Sequence, residues 1–161
     1  MLAYDVPRES SQGAVFGKSK GPDVIPPDFE EGDVIPDELK LKLLRIAPDD
    51  VPSGTEIGLG DSAFETTIHH GSAEDAARIA ADAGRDVGEL LAWTTAGSKI
   101  HVPPGRGLSL DTLAHEVFHV HQIRTIPNFF KKWELYGGAG NPFNRLEQDA
   151  DRFARGVLSA N

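Results

Sequence analysis

The chain has 161 residues, 39% hydrophobic and 25% charged, a balance that excludes a disordered tail or a fibre and fits one globular domain. Its 25 acidic and 16 basic residues leave a formal net charge of -9, which repels phosphate backbones and anionic lipid, so neither nucleic acid nor a membrane surface is an expected partner. There are no cysteines, which removes disulfides, thiol nucleophiles and thiolate metal sites and leaves His, Asp and Glu as the ligand types for a transition metal.

Five of the eleven prolines fall in residues 1–36, mixed with Ser, Gly and acidic residues and without a sustained apolar period. This stretch reads as an arm, either mobile or wrapped over the remaining domain (37–161) as a strap, with Val24, Ile25, Val34 and Ile35 as anchors. Met1–Pro7 contain no basic stretch followed by an apolar run, and no window approaches the roughly 20 apolar residues of a membrane span. The expected location is the cytoplasm, or outside it by a route that needs no signal peptide.

From Glu38 to Ile46 good helix formers predict a short helix ending before Pro48. Gly58 and Gly60 predict a turn, followed by a strand at Phe64–Ile68 that Gly71 closes. Ser72 then caps an Ala-rich helix that runs to Gly84, with Asp75 complementing its dipole, and a shorter helical turn is expected at Asp86–Ala92. Ser98–Val102 alternates between Gly97 and Pro103, as a strand with one buried face does. Ser109 or Asp111 caps a helix from about Leu110 to Arg124, with Leu113, Val117, Val120 and Arg124 along one side. After a loop at Glu134–Gly140, Asn141-Pro142 starts a last helix whose Phe143, Leu146, Ala150, Phe153 and Val157 form the buried stripe.

The Leu110–Arg124 helix carries His115-Glu116-Val117-Phe118-His119, an HExxH pattern. Two histidines four apart differ by about 40° around a helix and about 6 Å along it, so both imidazoles can reach one ion. A catalytic zinc needs a third protein ligand and an open position. Glu147-Gln148-Asp149-Ala150-Asp151 supplies an ExxxD on the last helix: Glu147 is the candidate third ligand, with Asp149 or Asp151 as alternatives, and Asp151 one turn on can accept the other ring N–H of a ligating histidine. Glu116, about 100° from His115, is placed to act as general base toward a water whose pKa zinc brings down to about 7.

These residues make the sequence look like a gluzincin, the zincin clan that pairs HExxH with a later ExxxD. Residues 96–122 resemble more narrowly the metallopeptidase-type domain called the extracellular contractile injection system core domain, through Gly97-Ser98-Lys99-Ile100-His101-Val102-Pro103-Pro104-Gly105, then Leu113-Ala114-His115-Glu116 and His119-Val120-His121-Gln122. Ile68–Glu74 is similar to a further segment of that family, and the likeness spans about residues 60–157. It implies a compact α+β zincin-like fold, a small sheet over the HExxH helix with a second Glu-bearing helix below, and a zinc peptidase acting on a peptide or protein substrate, with an injection or secretion apparatus as a possible partner. It further implies that Ser98–Val102 is the edge strand to which an extended peptide adds, and that Tyr136, in the interval between the ligand helices, stabilises the oxyanion. His121 departs from the family pattern and reads as a structural or surface residue. Gln122 and Thr125 stand where a metzincin needs Gly and His.

His101 is a weaker candidate for the cleft, and of the adjacent His69 and His70 at most one can serve a site, because they point to opposite faces of a strand. Trp93 and Trp133 read as packing residues, with Trp133 also able to line a substrate pocket. Two further expectations stand beside the peptidase. One is a catalytically inactive, zinc-stabilised structural or targeting module. The other is a latent enzyme whose arm covers the cleft, in which case removing residues 1–36 raises activity.

Overall fold

The computed structural model describes residues 14–18, 21–47, 59–138, 141 and 143–161. Among these the chain forms a mixed α/β fold with six α-helices, and no helix is long and apolar enough to cross a membrane. In chain order the elements are β1 (Val15–Phe16), β2 (Asp23–Ile25), β3 (Asp33–Val34), α1 (Asp37–Leu43), α2 (Gly60–Glu65), β4 (Thr67–His70), α3 (Ala73–Ala83), β5 (Leu90–Thr95), β6 (Lys99–Val102), β7 (Leu108–Ser109), α4 (Leu110–Thr125), α5 (Phe129–Leu135) and α6 (Arg145–Ala160).

The main sheet has the order β1-β5-β6-β4-β3, parallel between β4 and β6 and antiparallel elsewhere, and β2 pairs separately with β7. Strand β6 is therefore central. The expectation that Ser98–Val102 forms a free edge is overturned, because β4 and β5 already flank it and take its backbone groups. The edge of β5 is covered by β1, a piece of the arm, with Val15 opposite Ala92.

Alternation along β6 sends Ile100 and Val102 into the core shared with α4 and turns His101 the other way. His101 stacks on Trp93 on the sheet face that packs α3, whose Ala76 and Ile79 join Trp93 and Leu90 in a second cluster. Gly71 is required at the turn into α3: a Cβ there would lie 2.3 Å from the Trp93 ring. Ser72 caps α3 by accepting from Asp75 N–H, and Gly84 ends it in the left-handed region, as predicted.

The middle of helix α4 is buried on all sides. Every residue from Thr112 to Val120 is buried, between the sheet on one side and α6 on the other. The single apolar side expected at Leu113, Val117 and Val120 is only part of its interior surface, and the polar residues of the motif sit inside as well.

Local readings needed revision at four places. Residues expected to start a strand at Phe64 instead close α2, and the strand begins at Thr67. The helical turn after Asp86 is a 3-10 turn over Val87–Glu89, and Leu90–Ala92 belong to β5. Helix α5 occupies a stretch with no predicted element. The last helix is capped by Asn144, whose side chain accepts from Leu146 N–H, so Phe143 lies outside it and is 77% exposed rather than in the buried stripe. Pro142 and most of the predicted turn around Gly58 fall outside the described residues.

The arm contributes to the core. Ile25, Phe29 and Ile35 are buried in the cluster that holds Leu113, Val117 and Phe153, while Val24 is half-buried and Val34 exposed.

Candidate metal centre

His115 and His119 lie one turn apart on α4, and Glu147 faces them from the first turn of α6. One ligand atom from each of the three lies within 4.8 Å of the other two, so the group could hold a metal ion. His115 Nε2 is 3.1 Å from Glu147 Oε1, and His119 Nε2 is 3.0 Å from Glu147 Oε2. Both imidazoles are buried. Asp149, weighed as an alternative ligand, is outside this group, and burial raises its carboxyl pKa. Asp151 meets His115 from behind, its Oδ1 2.9 Å from Nδ1.

The outer nitrogens settle how the imidazoles present themselves. Gln122 donates from Nε2 to the Leu146 carbonyl at 3.0 Å, which orients its amide and turns Oε1 toward His119 Nδ1 at 2.8 Å. His119 Nδ1 must then carry the hydrogen, and a neutral His119 offers a lone pair at Nε2. Asp151 does the same for His115. His119 Nε2 is buried and, although close to Glu147, makes no aligned hydrogen bond. An unpartnered buried nitrogen beside a carboxylate is costly unless a cation occupies the angle between them, so the donor set fits a metal.

Without a metal, the surrounding carboxylates favour the charged form of both imidazoles. Burial works to lower the pKa of His115, but hydrogen bonds to Asp151 and Glu147 outweigh it and push the imidazole up to about 10. Burial likewise opposes protonation of His119, and the charge of Glu147 outweighs it to raise that pKa too. Burial also opposes ionisation of Glu147, yet His119 and the hydrogen bond to His115 hold its carboxyl well below the usual range. Metal must displace these protons. Apparent metal affinity is therefore expected to rise with pH from neutrality toward about 10, by about tenfold per unit for each proton displaced. Titrations in buffers of different ionisation enthalpy will count the protons, and a pH-independent affinity would exclude this arrangement.

Glu116 is fully buried beside the trio, under β5. Burial raises its pKa to about 7, against the lowering influence of both imidazoles and of the Thr94 hydroxyl, which donates to Oε1. Among the described residues its Oε2 has no hydrogen-bond partner. A carboxyl with a pKa near neutrality and one free oxygen can both take and return a proton. A cavity of about 210 Å³ reaches His115 and Asp151, walled also by Val15 and Lys18 of the arm and by Thr112 and Arg155.

The remaining candidates have contacts of their own. Tyr136 ends α5 and packs on the Phe129–Trp133–Leu146 cluster. His101, with burial lowering its pKa to about 4, is held by Thr95 on the far sheet face, next to His69. His69 pairs with Glu31, and His70 stacks on Phe29. His121 rests against Phe118.

Sequence reasoning missed three contacts at the site. Trp133 Nε1–H donates to Glu147 Oε2 at 2.8 Å, Gln122 anchors His119, and Thr94 holds Glu116. Gln122, one turn beyond His119, was findable from helical spacing. Thr94 and Trp133, which lie outside α4 and α6, left no such trace. No protein-family model, curated protein or solved structure matches this chain.

Proposed function

We propose that the protein is a zinc-dependent peptidase of gluzincin type, built on a zincin-like arrangement of sheet, HExxH helix and Glu-bearing helix. What carries the reading is one juxtaposition: three convergent ligand atoms within 4.8 Å, beside a buried Glu116 whose carboxyl is poised near neutrality. Two imidazoles and one carboxylate are the ligand types zinc takes in hydrolytic sites. Among the described residues the cluster has three members, one fewer than a closed structural zinc site, which favours the enzyme over an inert zinc-stabilised module.

His115, His119 and Glu147 would hold the ion, with Asp151 and Gln122 fixing the two rings. When bound, zinc supplies electrostatic activation of a carbonyl and of a water at neutral pH. Glu116 takes the proton from the attacking water on its free oxygen and returns it to the leaving amine, while Thr94 keeps the other oxygen occupied. A carboxylate that has taken this proton can hand it on, so one residue serves as base and then as acid. Tyr136 stays the proposed oxyanion partner.

The test is to supply zinc to purified protein and present an unfolded protein substrate. The expected result is cleavage that a chelator abolishes and added zinc restores. Tight zinc binding without cleavage of any of a broad set of peptides would favour the structural module.

A further inference from the structure

Glu147 has two oxygens, and a carboxylate with both free can bind a cation through either or both. Here the two oxygens differ: Oε1 faces His115 Nε2 at 3.1 Å, while Oε2, 3.0 Å from His119 Nε2, already accepts one hydrogen bond. Trp133 is 2% exposed, shares a buried cluster with Phe129 and Leu146, and its indole N–H donates to Glu147 Oε2 at 2.8 Å. An indole nitrogen is a donor only, so this contact cannot reverse.

The same residue holds the backbone from which Glu147 projects. The Trp133 carbonyl accepts from Asn144 Nδ2 at 3.2 Å, and Asn144 Oδ1 accepts from Leu146 N–H at 3.0 Å. The Leu146 carbonyl accepts from Gln122, which accepts from His119. One buried chain of hydrogen bonds thus runs from α5 through the cap of α6 to a ligand on α4.

We propose that Trp133 is a positioning residue that keeps Glu147 a one-oxygen ligand through Oε1, so that the site retains an open position for water and substrate. The inference rests on the metal-site reading above. The indole takes one lone pair of Oε2 and fixes the rotation of the carboxylate, which leaves Oε1 the stronger donor to an ion shared with the two imidazole nitrogens. Without the N–H, Glu147 is free to swing or to chelate with both oxygens, which weakens the preferred geometry or fills the open position.

Trp133→Phe in the full chain removes the N–H and keeps an aromatic ring in the cluster. Competition with a chromophoric chelator should show zinc affinity about 10–100-fold weaker than wild type. Substituted cobalt should lose the strong visible bands of a four-coordinate ion and show the weaker ones of higher coordination. Zinc affinity and cobalt spectrum both unchanged in the variant would overturn the proposal. Should Trp133→Phe fail to fold, the wild type decides: its Trp133 indole N–H, followed by NMR, should stay protected from exchange after zinc is added, and rapid exchange overturns the proposal. A wild type that binds no zinc defeats the metal-site reading itself, whereas tight wild-type binding with an unaltered variant defeats only the role given to Trp133.

Discussion

Glu116→Gln is expected to reduce peptide cleavage by about 10²–10⁴-fold, the usual contribution of a positioned acid-base group, while zinc content stays at the wild-type level. Glutamine keeps the shape and still accepts from Thr94 through its oxygen, so the change removes the proton acceptor and little else. The same variant has a second signature in the metal-free protein. The Glu116 pKa is raised from 4.5 to about 7, so the folded state binds this proton more tightly than the unfolded chain does. Its contribution to stability is therefore at its most favourable below about 4.5, falls as pH rises through the window to about 7, and is a full penalty above it. Glutamine has no such titration. In chelator, Glu116→Gln should melt higher than wild type at pH 8, and the gap should narrow toward pH 5. Wild-type activity in the variant would remove Glu116 from the chemistry. Loss of zinc together with activity would recast it as a residue that holds the site together.

Removing residues 1–36 is expected to unfold the protein rather than activate it. The deletion takes Ile25, Phe29 and Ile35 out of the core that surrounds α4, and strips β3 from β4 and β2 from β7. Each buried side chain of this size contributes about 1.5–3 kcal/mol, so the three together are a large share of the roughly 5–15 kcal/mol that separates folded from unfolded domains. The backbone groups of β4 and β7 would lose their partners as well. Circular dichroism melts of the truncated chain should show no cooperative transition; a cooperative melt near that of the full chain would contradict this packing. Among the described residues of the arm, β1 and Lys18 wall the cavity beside His115, and β1 also covers the edge of β5.

The candidate trio was legible because its geometry is local. His115 and His119 face one direction in any α-helix, and Glu147 and Asp151 lie one turn apart on another, so spacing alone proposes a metal site. The cap of α3 at Ser72 and its stop at Gly84 are equally short-range, set by hydrogen bonds within four residues. The start of α6 shows the limit of such reading. Asn141-Pro142 and Asn144 both carry an N-cap signal, and the choice of Asn144 follows from Trp133 and Gly138, whose carbonyls accept from the Asn144 side chain.

By itself the sequence determined which side chains could meet a cation, because helical periodicity is a property of neighbours a few residues apart. Only the tertiary structure decided that the middle of α4 is buried on all sides, that β6 is central rather than an edge, that Ile25, Phe29 and Ile35 of the arm belong to the core, and that Thr94, Gln122 and Trp133 hold Glu116, His119 and Glu147 in place. Those outcomes depend on contacts between segments far apart in the chain, such as Thr94 with Glu116 and Ile25 with the α4 core. There the burial of whole elements against one another, and the need to partner each polar group buried with them, overrides what any local pattern prefers.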